Sequence, residues 1–188
     1  MDTDVLLRYL TAARTSLIWK VEGLSEREAR WPRTRTGTSL AGLVKHCALV
    51  EHGYFGEVLG RDPGIEVPGF GHDDDPNADL YLTEDETVGD IIALYRRVGD
   101  YVTKTVRELP LDTPGHVPWW GPRGETTLGA LLVHVTYDVS RHAGQADILR
   151  ELADCTVGLT QVNDNLGVPP EGWDAQRARL EDVAGRFR

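Results

Sequence analysis

Asp138 and His142 interrupt an otherwise apolar stripe in the segment 128–149. The apolar members of this stripe, which recur at helical spacing, are Leu128, Leu131, Leu132, Val135, Val139, Ala146 and Leu149. A spacing of four residues puts Asp138 and His142 on one face of a helix, one turn apart. Burying a carboxylate is costly unless a cation or strong hydrogen-bond donors accompany it. The pair therefore forms a candidate set of ligands for one divalent metal ion.

A third ligand has to come from another segment, and His46 is the best candidate. It lies three residues after Leu43 and four before Val50, at the edge of a second apolar stripe. His52 is six residues further on, so it points to roughly the opposite side and we expect it to face solvent. Two imidazoles and one carboxylate leave a coordination position open, which is typical of catalytic metal sites rather than structural ones.

The same pattern has simpler interpretations. A buried Asp138–His142 pair also occurs as a hydrogen-bonded couple that holds two helices together. His134, one turn before Asp138, is a fourth ligand, a hydrogen-bond donor to Asp138, or an ordinary histidine at the edge of the core. Spacing by itself does not choose between these alternatives.

Several other reactive or aromatic residues lie outside this constellation. His116, Trp119 and Trp120 are in a loop that leads into the segment with Asp138, where they either line the mouth of a pocket or cover one end of the core. Cys47 lies on an apolar stripe and is expected to serve packing. Among the titratable residues, none is assigned a catalytic role beyond the three candidate ligands.

Four long helices are predicted to position these residues. Helical spacing and capping residues place them at about residues 4–21, from Thr38 or Ser39 to 59, at 87–109, and from Thr126 or Thr127 to 152. A short helical turn opens at Ser25 with Glu28 in a capping-box arrangement, and residues 60–82 form a long crossover connection. No strand is predicted. The pattern therefore indicates an all-α four-helix bundle over residues 1–158, followed by an extension, 159–188, with a short amphipathic helix.

Each predicted helix has a face that we expect to be buried. For the first helix this face consists of Val5, Leu6, Tyr9, Leu10, Ala13, Leu17 and Val21. For the short C-terminal helix it consists of Trp173, Leu180, Val183 and Phe187.

Composition limits the classes of function. The 188 residues suffice for one sizeable core, and the net charge of -10, with Asp73, Asp74 and Asp75 in a row, argues against nucleic acid as a partner. No run of 18 apolar residues predicts a membrane span, and the acidic N-terminus does not resemble a signal peptide. With only two cysteines, no disulfide scaffold is predicted. We therefore expect a cytoplasmic protein with a small-molecule partner.

Two runs of sequence resemble the DinB-like (DinB/YfiT-type) superfamily. The first is SLAGLVKH at residues 39–46, followed by Val50, Glu51, Tyr54 and Phe55; the second is LLVHVTYDVSRHAGQADILRE at residues 131–151. Within the superfamily the chain is most similar to the actinobacterial branch that is associated with mycothiol. The resemblance covers about residues 1–158, and the RHAGQADILRE run is its most specific part.

The resemblance implies a four-helix bundle that binds Zn²⁺ or Ni²⁺ through His46, Asp138 and His142. Characterised relatives transfer low-molecular-weight thiols such as mycothiol or bacillithiol, or use mycothiol to isomerise maleylpyruvate, and many are dimers. The chain departs from the pattern at two positions: Asp138 stands where many members have His or Glu, and Gln145 stands where this branch often has His.

We therefore expect a divalent-metal-dependent enzyme that transfers a mycothiol-like thiol to an electrophilic small molecule, or uses the thiol in an isomerisation. Zn²⁺ is the preferred ion and Ni²⁺ the alternative, with mycothiol as the co-substrate and a homodimer as the assembly. The residues expected to line the pocket or to hydrogen-bond to the ligands are His134, Arg141, Gln145, Trp119 and Trp120. The alternatives are a stress-response protein that binds metal or a small molecule without turnover, and a structural oligomer.

Overall fold

The computed structural model describes residues 2–68, 75–163 and 166–187, and most of these residues are helical. The helices are α1 (Thr3–Trp19), α2 (Glu26–Arg30), α3 (Leu40–Phe55), α4 (Val88–Glu108), α5 (Leu128–Asp154) and α6 (Trp173–Gly185). Short 3-10 turns occupy Glu57–Leu59, Ala78–Leu80 and Pro118–Arg123. The chain divides into two compact units, Met1–Val157 and Gly158–Arg188.

Local capping chemistry sets where the long helices begin. The side chains of Ser39, Thr87 and Thr127 each accept a hydrogen bond from a backbone N–H in the first turn of α3, α4 and α5. Ser25 and Glu28 form the predicted capping box at α2. Each cap satisfies N–H groups that have no partner inside the helix, which is why these residue types mark helix starts.

In the first unit, α1 packs against α5 and α4, and α3 packs against α4 and α5. The apolar stripe predicted for α5 lies in the core, as do Leu43, Cys47 and Val50 of α3. Because α3 and α5 are neighbours, the edge of the α3 stripe and the edge of the α5 stripe meet. His46 and the Asp138–His142 pair lie along this line of contact.

The buried face of α1 differs from the predicted one. Val5 and Tyr9 are exposed, whereas Leu7, Ile18 and the charged residue Arg14 are buried. The prediction was wrong at Val5 and Tyr9 and missed Arg14, whereas Leu10, Leu17 and Val21 are buried as predicted. Arg14 points inwards to form an ion pair, described below.

Two further predictions need correction. A small antiparallel hairpin, β1 (Pro114–His116) with β2 (Glu125–Thr127), precedes α5, although no strand was predicted. The segment predicted as one helix to residue 59 breaks at Gly56, where a Cβ atom would lie 2.7 Å from the His52 carbonyl oxygen and 2.8 Å from Pro63 Cγ. The close approach of Pro63 therefore ends α3 early.

The acidic run and the C-terminal helix were both identified from the sequence. Asp73 and Asp74 of the acidic run lie outside the described residues. Within the second unit, the described part of α6 buries none of its residues. No helix in the described ranges is long and apolar enough to cross a membrane.

Candidate metal centre

His46 of α3 and Asp138 and His142 of α5 come together in the folded chain. Each offers one ligand atom, and these three atoms all lie within 4.8 Å of one another. The His46 and His142 rings meet edge to face, with centroids 4.7 Å apart. Two segments separated by about 90 residues of sequence thus bring one carboxylate and two imidazoles to one point.

The spacing of these atoms suits one divalent ion. The Nε2 atom of His142 lies 3.6 Å from Oδ1 of Asp138. Two ligands at about 2.0–2.1 Å from a tetrahedral Zn²⁺ stand roughly 3.3 Å apart, so this pair is nearly in place. The distances from the third atom to the other two, at most 4.8 Å, exceed this value by up to about 1.5 Å, which small side-chain rotations can remove. The donor set of two nitrogens and one carboxylate oxygen is one that Zn²⁺ and other divalent transition metals accept.

The cluster is neither buried nor fully open. The exposed fractions of the His46, His142 and Asp138 side chains are 20%, 15% and 28%. A position on the solvent side of the three ligand atoms is therefore accessible to a small molecule, as catalytic metal sites require.

Asp79 is a partner of His46 that the sequence analysis missed. Its Oδ2 atom lies 2.5 Å from Nδ1 of His46, and its side chain is buried. A carboxylate oxygen accepts, so Nδ1 carries the hydrogen and Nε2 remains available as a metal ligand. The available signal was weak: Asp79 lies between the apolar residues Ala78 and Leu80 in a polar connection.

His142 has an analogous but different partner. Its Nδ1 atom lies 2.8 Å from Oε1 of Gln145, one turn further along α5. The amide oxygen accepts from Nδ1–H and leaves Nε2 facing Asp138. Gln145 and Arg141 also line a shallow groove beside His142, together with Thr34 and Thr38. The structure thus places both residues close to the candidate ligands.

His134 belongs to an aromatic cluster two turns before His142. The indole N–H of Trp119 donates to the Tyr54 hydroxyl, which in turn lies 3.2 Å from Nε2 of His134. Trp120 packs edge-on against His134, with centroids 4.8 Å apart. Eight residues of helix correspond to about 12 Å, so this cluster flanks the candidate metal site without joining it. Among the described residues, His134 is not part of a group of metal-ligating atoms.

The two remaining predicted histidines have other contacts. The Nδ1 atom of His116 lies 2.7 Å from Oε1 of Glu125, across the small hairpin. The Nε2 atom of His52 lies 3.2 Å from the carbonyl oxygen of Ile65. His52 is therefore half-buried against the crossover connection rather than free in solvent.

Cys47, next to His46, cannot serve as a reactive thiol. It is fully buried, and its burial, together with the negative charges of Asp138 and Glu51, raises the pKa of the thiol well above the usual value. The protonated form is therefore retained at neutral pH. Any thiol chemistry at this site must use an external thiol.

A buried ion pair lies on the core side of Cys47. The Nε atom of Arg14 donates to both carboxylate oxygens of Glu51 at 3.2 and 3.1 Å, and the Tyr95 hydroxyl donates to Oε1 at 2.7 Å. Burial opposes the charge of Arg14, yet the contact with Glu51 outweighs this and raises the pKa of the guanidinium. The pair holds α1, α3 and α4 together beneath the candidate site.

A model of the mycothiol-S-transferase family matches residues 5–155. The chain belongs to this family. The matched residues include all three candidate ligands, and the resemblance to DinB-like proteins of the mycothiol branch is confirmed. No curated protein matches the chain at a significant level.

Among solved structures, this member of the mycothiol-S-transferase family is similar to a conserved protein from Enterococcus faecalis. The two share 15% sequence identity and superpose with a TM-score of 0.63. The match covers 81% of this chain and 97% of the other. At this level of identity the similarity concerns the fold alone.

Proposed function

We propose that this protein is a divalent-metal-dependent transferase that joins a low-molecular-weight thiol of the mycothiol type to an electrophilic small molecule. The convergence of His46, Asp138 and His142 within 4.8 Å carries the proposal. The family match to mycothiol-S-transferases gives the class of thiol. The α1, α3, α4 and α5 helices would form the DinB-like four-helix bundle that holds the site.

The chemistry of the donor set indicates which metal ion is preferred. Two imidazole nitrogens and one carboxylate oxygen favour Zn²⁺, with Ni²⁺ as the alternative. A divalent ion held there lowers the pKa of a thiol that binds to it and so provides a thiolate at neutral pH. Asp138 reduces the net charge of the site by one, which keeps the affinity for a second anion moderate.

Residues of the chain would bind and orient the thiol and the electrophile. The groove lined by Arg141 and Gln145 lies beside His142 and would orient the polar part of the thiol. The aromatic cluster of Tyr54, Trp119 and His134 flanks the site and would receive the apolar part of the electrophile. In the transfer, the thiol sulfur supplies the electron pair of the new S–C bond, the leaving group departs with its own electron pair, and the thiol proton goes to solvent.

The test combines metal analysis with a transfer assay. Protein purified without added metal is analysed for its metal content and then assayed with mycothiol and a fluorogenic alkyl halide. We expect about one Zn²⁺ or Ni²⁺ per chain, and we expect chelation to reduce the rate to that of the uncatalysed reaction. Full activity after complete chelation would show that the metal mechanism is wrong.

Two substitutions distinguish loss of the metal site from a general effect of removing a negative charge. Asp138→Ala should lose both metal and transfer. Glu151→Ala removes an exposed carboxylate of the same helix and should leave both unchanged. A protein that binds metal through these residues but transfers no thiol to any of several electrophiles would instead be the binding protein without turnover that the sequence left open.

A further inference from the structure

The crossover connection between α3 and α4 brings one buried carboxylate to the candidate metal centre. Asp79 lies in the Ala78–Leu80 turn, 33 residues after His46, and contacts it through a 2.5 Å hydrogen bond at Nδ1. We propose that Asp79 is a positioning residue that fixes His46 as a metal ligand through Nε2. This inference rests on the metal site proposed above.

Burial makes the Asp79 carboxylate depend on a hydrogen-bond donor. Asp79 is 6% exposed, and a carboxylate at this depth needs a donor to offset its loss of hydration. Among the contacts of the described residues, the donor for its carboxylate is the Nδ1–H of His46. The bond therefore constrains both partners: it determines which imidazole nitrogen carries hydrogen, and it holds the ring in one orientation.

A buried lysine of α3 holds the turn that carries Asp79. The ammonium group of Lys45, adjacent to His46 in α3, donates to the carbonyl oxygens of Ala78 and Tyr81 at 2.9 and 3.0 Å. The same group pairs with Glu86. Lys45 is almost fully buried, so these contacts are shielded from water and fix the backbone on both sides of Asp79.

The two histidines have different partners at Nδ1. Nδ1 of His142 meets the neutral amide of Gln145, which is exposed, whereas Nδ1 of His46 meets a buried carboxylate. A charged carboxylate forms a stronger hydrogen bond than a neutral amide and so orients the imidazole more strongly. His46 would therefore be the more rigid ligand, while His142 adjusts to the ion.

The tautomer of His46 can be measured in the unaltered protein. A long-range ¹H–¹⁵N NMR spectrum of the zinc-loaded protein distinguishes the two nitrogens of each imidazole. We expect a proton on Nδ1 of His46 and none on Nε2. A His46 ring that is protonated on Nε2 and bound through Nδ1 would overturn the proposal.

Metal affinity provides the second measurement. Competition with a chromophoric chelator should show that Asp79→Asn binds Zn²⁺ about 10- to 100-fold more weakly, the usual effect of losing such a partner. Asp79→Glu, which retains the carboxylate, should lose less than Asp79→Asn. Glu84→Gln is the matched control, because it removes an exposed carboxylate from the same connection, and its affinity should equal that of the wild type.

The outcomes separate this inference from the proposed function. A wild-type protein that binds no divalent metal would contradict the proposed function itself. A wild-type protein that binds Zn²⁺ through His46, together with a folded Asp79→Asn variant of equal affinity, would contradict only the role of Asp79. If the Asp79 variants do not fold, the imidazole spectrum of the wild type decides the question.

Discussion

Gly42 of α3 lies directly against the carbonyl group of Leu80, so that a Cβ atom at position 42 would be 1.9 Å from the carbonyl oxygen. No side chain fits at this distance, and the contacting atom belongs to the backbone. We therefore expect Gly42→Ala to displace the Ala78–Leu80 turn and, with it, Asp79. The expected cost is about 1–3 kcal/mol of folding free energy, as in other overpacked sites, measured by urea unfolding.

Gly53 of the same helix provides the control. A Cβ atom there would meet nothing within 4 Å, so Gly53→Ala should stabilise the protein by about 0.5–1 kcal/mol through helix propensity alone. The Gly42→Ala variant should also bind Zn²⁺ more weakly, whereas Gly53→Ala should not. Equal effects of the two substitutions would mean that the contact with Leu80 does not constrain the turn.

The candidate ligands could be predicted from the sequence because their signals are local. Asp138 and His142 share a helical face by spacing, and both interrupt an apolar stripe, which a soluble helix tolerates only for a reason. Asp79 could not be predicted, since it lies in an irregular connection. Its partner, His46, is 33 residues away, and only the path of the backbone brings them together.

For the helices, too, local features could be predicted and contacts with distant residues could not. Thr87 was predicted as a helix start, and Ser39 and Thr127 were each one of two neighbouring candidates, because a cap involves only its own first turn. The face of α1 was predicted only in part, because burial of Arg14 depends on Glu51 in another helix. Charge patterns within one segment carry no information about a partner elsewhere.

The buried pair of Arg14 and Glu51 leads to a prediction about stability. Glu51→Gln keeps an oxygen that can accept from Tyr95 but removes the charge that balances Arg14. We expect a loss of about 3–5 kcal/mol, the usual cost of leaving a buried charge unpaired, measured by urea unfolding at neutral pH.

Two further variants test the cause of that loss. The double substitution Arg14→Met with Glu51→Leu removes both charges and should recover most of the stability. Glu108→Gln breaks the partly exposed pair with Arg61 and should cost about 1 kcal/mol or less. A Glu51→Gln variant that is no less stable than Glu108→Gln would refute the importance of the buried pair.

The two cysteines should differ sharply in reactivity. Burial, aided by Asp138 and Glu51, raises the pKa of Cys47, whereas Cys155 is exposed. We expect an aromatic disulfide reagent to modify Cys155 rapidly and Cys47 only on unfolding. Cys155→Ser should abolish the rapid phase and leave thiol transfer intact; a rapid phase that persists would show that Cys47 is accessible.

The raised pKa of Cys47 also has a thermodynamic consequence. The folded chain retains the thiol proton at pH values where the unfolded chain releases it. The free energy of unfolding should therefore decrease as the pH rises above about 8.5, the usual pKa of a free thiol. Between about pH 8.5 and 9.5, below the usual pKa of a tyrosine hydroxyl, this decrease should be smaller in a Cys47→Ala variant, with the wild type and the variant compared by urea unfolding.

Asp154 at the end of α5 should show the opposite dependence on pH. Burial disfavours its charge, but hydrogen bonds from Arg150 and from the backbone N–H and hydroxyl of Thr156 outweigh burial and lower the pKa of the carboxyl. Arg150 also donates to the carbonyl oxygens of Lys20 and Glu22, so the pair fastens α5 to the end of α1.

A group whose pKa is lower in the folded chain than in the unfolded chain stabilises the fold at neutral pH. This stabilisation is lost as the pH falls below about 3.9, the usual pKa of aspartate, and through the lower folded value. Because Asp154 is partly exposed, we expect Asp154→Asn to cost about 1 kcal/mol or less at neutral pH. The difference from the wild type should shrink as the pH is lowered through that range, measured by urea unfolding at a series of pH values. Glu151→Gln replaces an exposed neighbour, and its difference in free energy of unfolding from the wild type should not shrink in this way. If the difference for Asp154→Asn is the same at all pH values, the ionised form of Asp154 does not stabilise the helix end.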